Sequence, residues 1–264
     1  MVQLNCKRFV KPLHDSLIPC TKFAEISLIP ANADKIVGDG VAMVMEKGII
    51  TLQDYIVNYR RQLSFGELLE IIWALVEMVK EAHDNQLVLM DIKGANVMKF
   101  EADLGYSTWK GIDLGSCLPV GTPLSGDNGS SSTIMTTVHF MAPELLSSCC
   151  GQQQHADLTA MFSMDIWSLG ILIFDVLIDQ QQQSFWNLLE IHCDDGIKEE
   201  IKSGNFTQEK VDKIIEKYFP EPSYRTFLQR MLSIDPTKRS RVDELHHAAL
   251  MKGGPSTPHN TILN

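Results

Sequence analysis

The chain has 264 residues, 44% of them hydrophobic, 21% charged and 8% aromatic, a globular composition with enough apolar residues for a substantial core, which excludes a disordered or low-complexity polymer. Thirty-three acids against 23 bases leave a net charge of −10, so no overall field attracts a polyanion, which argues against nucleic acid or an anionic membrane as partner. The longest apolar stretch, Ile166 to Ile178, contains Asp175 and falls short of the roughly 20 residues a bilayer span needs. The first twenty residues, broken by charge and Pro12, lack the apolar run of a signal peptide, so a cytoplasmic location, with the nucleus as the other option, is expected.

In chain order, the first strong periodicity runs from Phe65 to His83, where Leu68, Ile71, Ile72, Leu75, Met78 and Val79 follow the i, i+3, i+4 spacing of a helix with one buried face. Gln86 to Phe100 then gives two short apolar runs around a polar turn, and Thr108 to Leu114 a third short run, as expected for strands joined by loops. Residues Gly121 to Thr133, rich in Gly, Ser, Asn and Asp, are expected to form a long mobile loop. Asp165 to Ile178 is apolar on every face, the pattern of a helix buried inside a helical body. Further helices are predicted over Phe185 to His192, Gln208 to Tyr218, Tyr224 to Leu232 and Arg241 to Met251. Two Gln runs, 152–154 and 180–183, read as surface loops, and residues 253–264 as a frayed tail. The six cysteines show no zinc-like spacing and read as reduced thiols.

Two short polar segments carry the candidate chemistry. DIKGAN, Asp91 to Asn96, places a carboxylate, a lysine two residues on and an amide three further in one turn between apolar runs. Such a turn can present a base, a cation and a metal ligand to one point. Seventeen residues past Asn96, Asp113 ends an apolar run in IDLG. Asp113 supplies a second oxygen for a hard cation such as Mg²⁺.

Either segment alone is an ordinary solvated turn, but both are followed in order by MAPEL (Met141 to Leu145), DIWSLG (Asp165 to Gly170) and IDPTKRS (Ile234 to Ser240). With these the chain resembles the eukaryotic-type protein kinase family. The resemblance implies an α+β, two-lobed fold with a truncated small β lobe over residues 1–46, a mainly helical large lobe over residues 47–251, and the tail beyond. It implies that Asp91 orients the substrate hydroxyl, that Lys93 contacts the transferred phosphate, and that Asn96 and Asp113 hold Mg²⁺. Thr137 matches the threonine that bonds the catalytic Asp and Lys, and with Lys93 it favours Ser/Thr over Tyr specificity. Glu144 and Arg239 resemble a buried ion pair that closes the activation segment, and Asp165 the aspartate that fixes the catalytic loop. Upstream, Met45, Glu46 and Gly48 fall at the hinge that would bind adenine, Met98 joins them among the nucleotide-binding residues, and Lys7 with Glu25 matches the phosphate-binding lysine and its helix partner, with Lys11 as the rival lysine.

The sequence also departs from the family pattern. No GxGxxG precedes Lys7, so either the chain is part of a longer one or its small lobe is reduced. Leu89 and Met90 stand where the family has His and Arg, which removes an anchor for a phosphorylated activation loop. Pro30 follows Glu25 closely enough to end its helix early. The implied activity is transfer of the γ-phosphate of ATP, with Mg²⁺, to a Ser or Thr hydroxyl of a protein substrate. The alternative is a pseudokinase, a binding module that keeps the fold and acts through its surface.

Overall fold

The computed structural model describes residues 8–9, 18–19, 41–42, 46–101, 107–124, 136–149, 158–178 and 184–250. Lys7, Lys11, Glu25, Pro30 and Met45 lie outside the described residues, as do both Gln runs and the tail. Ahead of Glu46, β1 (Ile18–Pro19) pairs antiparallel with β2 (Val41–Ala42) in the register Ile18 to Ala42. Arg8 and Phe9 do not belong to that pair. Phe9 forms a parallel bridge to Gly111, in the larger body of the molecule, where a small-lobe strand is expected around its neighbour Lys7.

Just after Gly48, β3 (Ile50–Thr51) runs directly into α1 (Leu52–Tyr59), because the Thr51 hydroxyl caps the new helix by accepting the Asp54 amide at 3.1 Å. The helix α2 (Phe65–Asp84) opens on a reciprocal cap. Ser64 Oγ accepts from the Glu67 amide, and the Glu67 carboxylate accepts from the Ser64 amide at 2.8 Å. Its predicted apolar face, from Leu68 through Val79, is buried. Gln86, at φ +59°, ends the run and turns the chain into β4 (Leu87–Val88).

The hairpin of β5 (Val97–Glu101) and β6 (Ser107–Gly111) joins β3 in a three-stranded sheet of order β3-β5-β6, and β7 (Leu118–Pro119) pairs with β4. From the loop predicted over Gly121 to Thr133, residues 121–124 are described, and they are pinned by Pro123 bridging to Thr159.

Helices make up the rest of the described chain. α3 (Pro143–Cys149) precedes α4 (Phe162–Leu177), whose residues are buried around its whole circumference, as the unbroken apolar run predicts. It packs against α2 and β4 on one side. On the other it meets α8 (Pro222–Met231) after α5 (Phe185–Leu188), α6 (Asp194–Lys202) and α7 (Gln208–Tyr218). α9 (Val242–Leu250) closes over α2. α5 is shorter than predicted because the chain turns out of helix at Glu190, φ +64°. Among the described residues, no helix is long and apolar enough to cross a membrane.

Candidate active site

The site is built from the inside outward, beginning at Asp165 in the first turn of α4. Its side chain is fully buried, so its charge must be satisfied by fixed donors. Oδ2 accepts from the Leu89 amide at 2.7 Å and faces His83 Nε2 at 3.0 Å, while Oδ1 accepts from the Met90 amide at 2.9 Å. His83 is itself buried and stacks on Phe162 at 4.3 Å. Met90 sits at φ +65°, a left-handed conformation that costs an unbranched side chain about 1–2 kcal/mol. The two amide bonds to Asp165 hold it there. That grip is on backbone N–H groups, which explains why Leu89 and Met90 can replace His and Arg and bury apolar side chains without disturbing the turn.

The turn at Met90 presents Asp91. Its Oδ1 accepts from the Thr137 amide at 3.1 Å and from the Thr137 hydroxyl at 3.0 Å. Its Oδ2 accepts from Lys93 Nζ at 2.7 Å and from Asn96 Nδ2 at 2.8 Å. Lys93 also donates to Thr137 Oγ1 at 2.9 Å, so the hydroxyl accepts from the lysine and donates to the carboxylate. All four acceptor positions of the Asp91 carboxylate are thereby filled. Asn96 spends its amide N–H₂ on Asp91, through Oδ2 and through the main-chain carbonyl at 3.0 Å. Its Oδ1 is left without a partner among the described residues. The turn from Gly94 to Asn96 rests on the start of α1, where a Cβ on Gly94 would lie 3.0 Å from the Gln53 nitrogen.

Asp113 arrives beside Asn96 because β6 pairs with β5. The ladder continues one residue past the strand, the Ile112 amide donating to the Asn96 carbonyl at 2.9 Å, and the next residue is Asp113. It is exposed, at φ +60°, and its Oδ1 accepts from the Gly115 amide at 3.1 Å. Among the described residues no three His, Cys, Asp or Glu side chains cluster as a protein-only metal cage. An amide oxygen and one carboxylate on neighbouring strand ends instead fit Mg²⁺, which keeps waters and takes substrate phosphates as its other ligands.

Glu46 and Gly48, expected at the hinge, meet one face of the same hairpin. Gly48 lies so close over Met98 that a Cβ there would collide with the Met98 sulfur. Glu46 forms an ion pair with Lys110, the cross-strand partner of Met98, and Lys110 lies over the Phe100 ring at 5.1 Å. Near Asp113, Cys117 is largely buried, and burial first, then the charges of Asp165 and Asp113, pushes its thiol up to about 12. It therefore stays protonated and is a poor ligand or nucleophile.

A third cluster fixes the segment that carries Thr137. The carbonyls of His139 and Phe140 accept from Trp186 Nε1 and Ser168 Oγ, both at 2.7 Å. Farther along, Glu144 and Arg239 form a two-pronged ion pair at 2.7 Å on each prong, with the arginine side chain fully buried. The structure thus brings together Asp91, Lys93, Asn96 and Thr137, sets Asp113 on the adjoining strand end, and joins Glu46, Gly48 and Met98. His83, Lys110 and Trp186 support these groups and belong to none of the sequence segments that suggested the site, while Ser168 lies within DIWSLG but was not singled out there.

Comparison with known proteins shows the family. A family model described as a protein kinase domain matches residues 23–251. The serine/threonine-protein kinase PSK2 of Saccharomyces cerevisiae is 24% identical over 209 residues, covering 78% of this chain and 15% of the relative. The serine/threonine-protein kinase polo of Drosophila melanogaster is 23% identical over 183 residues, 69% of this chain and 29% of its own. The dual specificity protein kinase zak2 of Dictyostelium discoideum is 28% identical over 202 residues, 75% and 26% respectively. The matches span less than a third of each of these relatives.

Proposed function

The chain belongs to the protein kinase family, and on that premise we propose that it transfers the γ-phosphate of ATP to a serine or threonine hydroxyl of a protein substrate. The observation that carries the reading is the Asp91 carboxylate, held at once by Thr137, Lys93 and Asn96. Three of its four donors are fixed by backbone or by a short side chain. The fourth, Lys93, is on a flexible stem and is 26% exposed. An incoming hydroxyl needs one acceptor position on Asp91, and Lys93 is the donor that can yield it. The lysine then carries its charge toward the transferred group while Asp91 orients the hydroxyl and takes its proton.

Mg²⁺ with ATP, when bound, supplies the electrophilic phosphorus and neutralises charge on the phosphates. Asn96 Oδ1 and the Asp113 carboxylate are the oxygens this chain offers to that ion. Glu46, Gly48 and Met98 would line the place for the base, the backbone of residues 46–48 bonding it and Met98 packing against it. The Lys93–Thr137 hydroxyl bond, which reaches the catalytic carboxylate from a separate segment, supports Ser/Thr specificity.

A phosphotransfer assay on a basic protein with labelled ATP tests this reading. Asp91→Asn keeps the size and the Thr137 contact but cannot take a proton, and its rate should fall by about 10²–10⁴-fold. Equal incorporation by the two proteins contradicts the proposal and leaves the binding-module reading in its place.

A further inference from the structure

Arg8 and Phe9 lie ahead of the residues that the family model matches, yet they are built into the body that carries the candidate site. Phe9 is 3% exposed and joins the main core cluster. It bridges in parallel to Gly111 at the open edge of β6, and the Gly111 amide donates to the Arg8 carbonyl at 2.7 Å. The seat for its ring exists because position 111 has no side chain: a Cβ there would lie 2.8 Å from the Phe9 ring and 2.8 Å from Met78 Sδ.

Arg8 is fastened at both ends. Its amide donates to Glu81 Oε2 at 2.9 Å and its Nε to Glu77 Oε2 at 2.6 Å, both on α2, and the guanidinium also ion-pairs with Glu77. Its Nη1 reaches Thr108 Oγ1 at 3.1 Å and the Trp109 carbonyl at 3.4 Å, both on β6. These two residues therefore act as a short fourth strand that covers the sheet edge and ties β6 to α2. β6 is the strand whose continuation delivers Asp113 two residues beyond Gly111.

We infer that Arg8 and Phe9 form a clasp that fixes the register of β6 and thereby positions Asp113. They are positioning residues, since neither reaches the candidate site directly. The inference about Asp113 rests on the nucleotide reading above, whereas the clasp itself does not.

The test compares hydrogen exchange along the full chain in wild type, Arg8→Glu and the charge-swapped Arg8→Glu/Glu77→Arg, with the milder Arg8→Gln used if the reversal does not fold. The clasp predicts at least tenfold faster exchange in the segment 107–113 of the single variant, unchanged exchange in α4, and recovery in the swapped protein. It also predicts a raised KM for Mg-ATP, with kcat changed less, in the same variant. Unchanged exchange at 107–113, or a uniform rise across α2, α4 and β6, overturns the clasp. A wild-type chain that neither binds nor uses ATP removes the nucleotide reading while the exchange comparison still decides the clasp.

Discussion

The guanidinium of Arg239 uses all five of its N–H groups. Two go to Glu144, and the others to the carbonyls of Ser233, Ser163 and Ile234, with the Trp167 ring 5.2 Å away. Removing one member of such a buried pair strands the other charge, so Arg239→Ala should lose about 3–5 kcal/mol. A thermal melt would show this as a midpoint lower by about 6–20 °C; a loss below 1 kcal/mol would contradict the assignment. Cys117 gives a second residue-scale expectation. With its thiol pushed up to about 12 by burial, iodoacetamide at pH 8 should label the exposed Cys193 and spare Cys117, and equal labelling would contradict it. At this scale the sequence offered Asp91, Lys93 and Asn96 as one polar turn and Thr137 only through the family resemblance, and the structure brings these four side chains together. His83 and Lys110 were not legible, because a histidine at the end of a helix and a lysine in a strand acquire their roles only when distant residues, Asp165 and Glu46, fold against them.

Among the elements, the helices with continuous apolar stripes were readable from period alone, as α2 and α4 show. α1 and α6 were not. α1 buries only Leu52, and α6 buries only Ile197 and Ile201 in an otherwise charged segment, so neither presents a stripe long enough to register as periodic. The packing of α9 on α2 carries a pH dependence. His246 lies tilted against Trp73, with ring centroids 4.6 Å apart, and burial holds its pKa below the usual 6.5; Lys80 and His247 push it further down, against Glu77 and Asp243. The folded form binds that proton more weakly than the unfolded chain, so this part of the stability is whole above pH 6.5 and declines as pH falls below it. The Asp243 carboxylate, hydrogen-bonded by Lys80, is held below its ordinary 3.8, so its share is lost only at still lower pH, as pH falls through the folded value. Melting curves should therefore show a shallow loss of stability as pH falls below 6.5 that His246→Phe flattens; the same slope in both proteins would contradict the buried ring contact as its source.

For the whole molecule, the family and its helical body were readable because the motif order spans most of the chain. The path of the first residues was not, since LNCKRF resembles a small-lobe strand while its Arg8 and Phe9 pack on β6 and α2. A basic–aromatic pair has no periodicity of its own, and only the gap at Gly111 and the carboxylates of α2 give it a seat. The fold serves the chemistry by bringing two separate segments together, the turn at Asp91 to Asn96 held by α4 and the strand end at Asp113 held by the hairpin. Calorimetric titration with ATP, with and without Mg²⁺, on wild type and Asp113→Asn tests that convergence most directly. Mg²⁺-dependent binding is expected of the wild-type chain, and at least a tenfold weaker Mg-ATP affinity of the variant, with metal-free binding unchanged. Affinities that are the same in both proteins and indifferent to Mg²⁺ would contradict it.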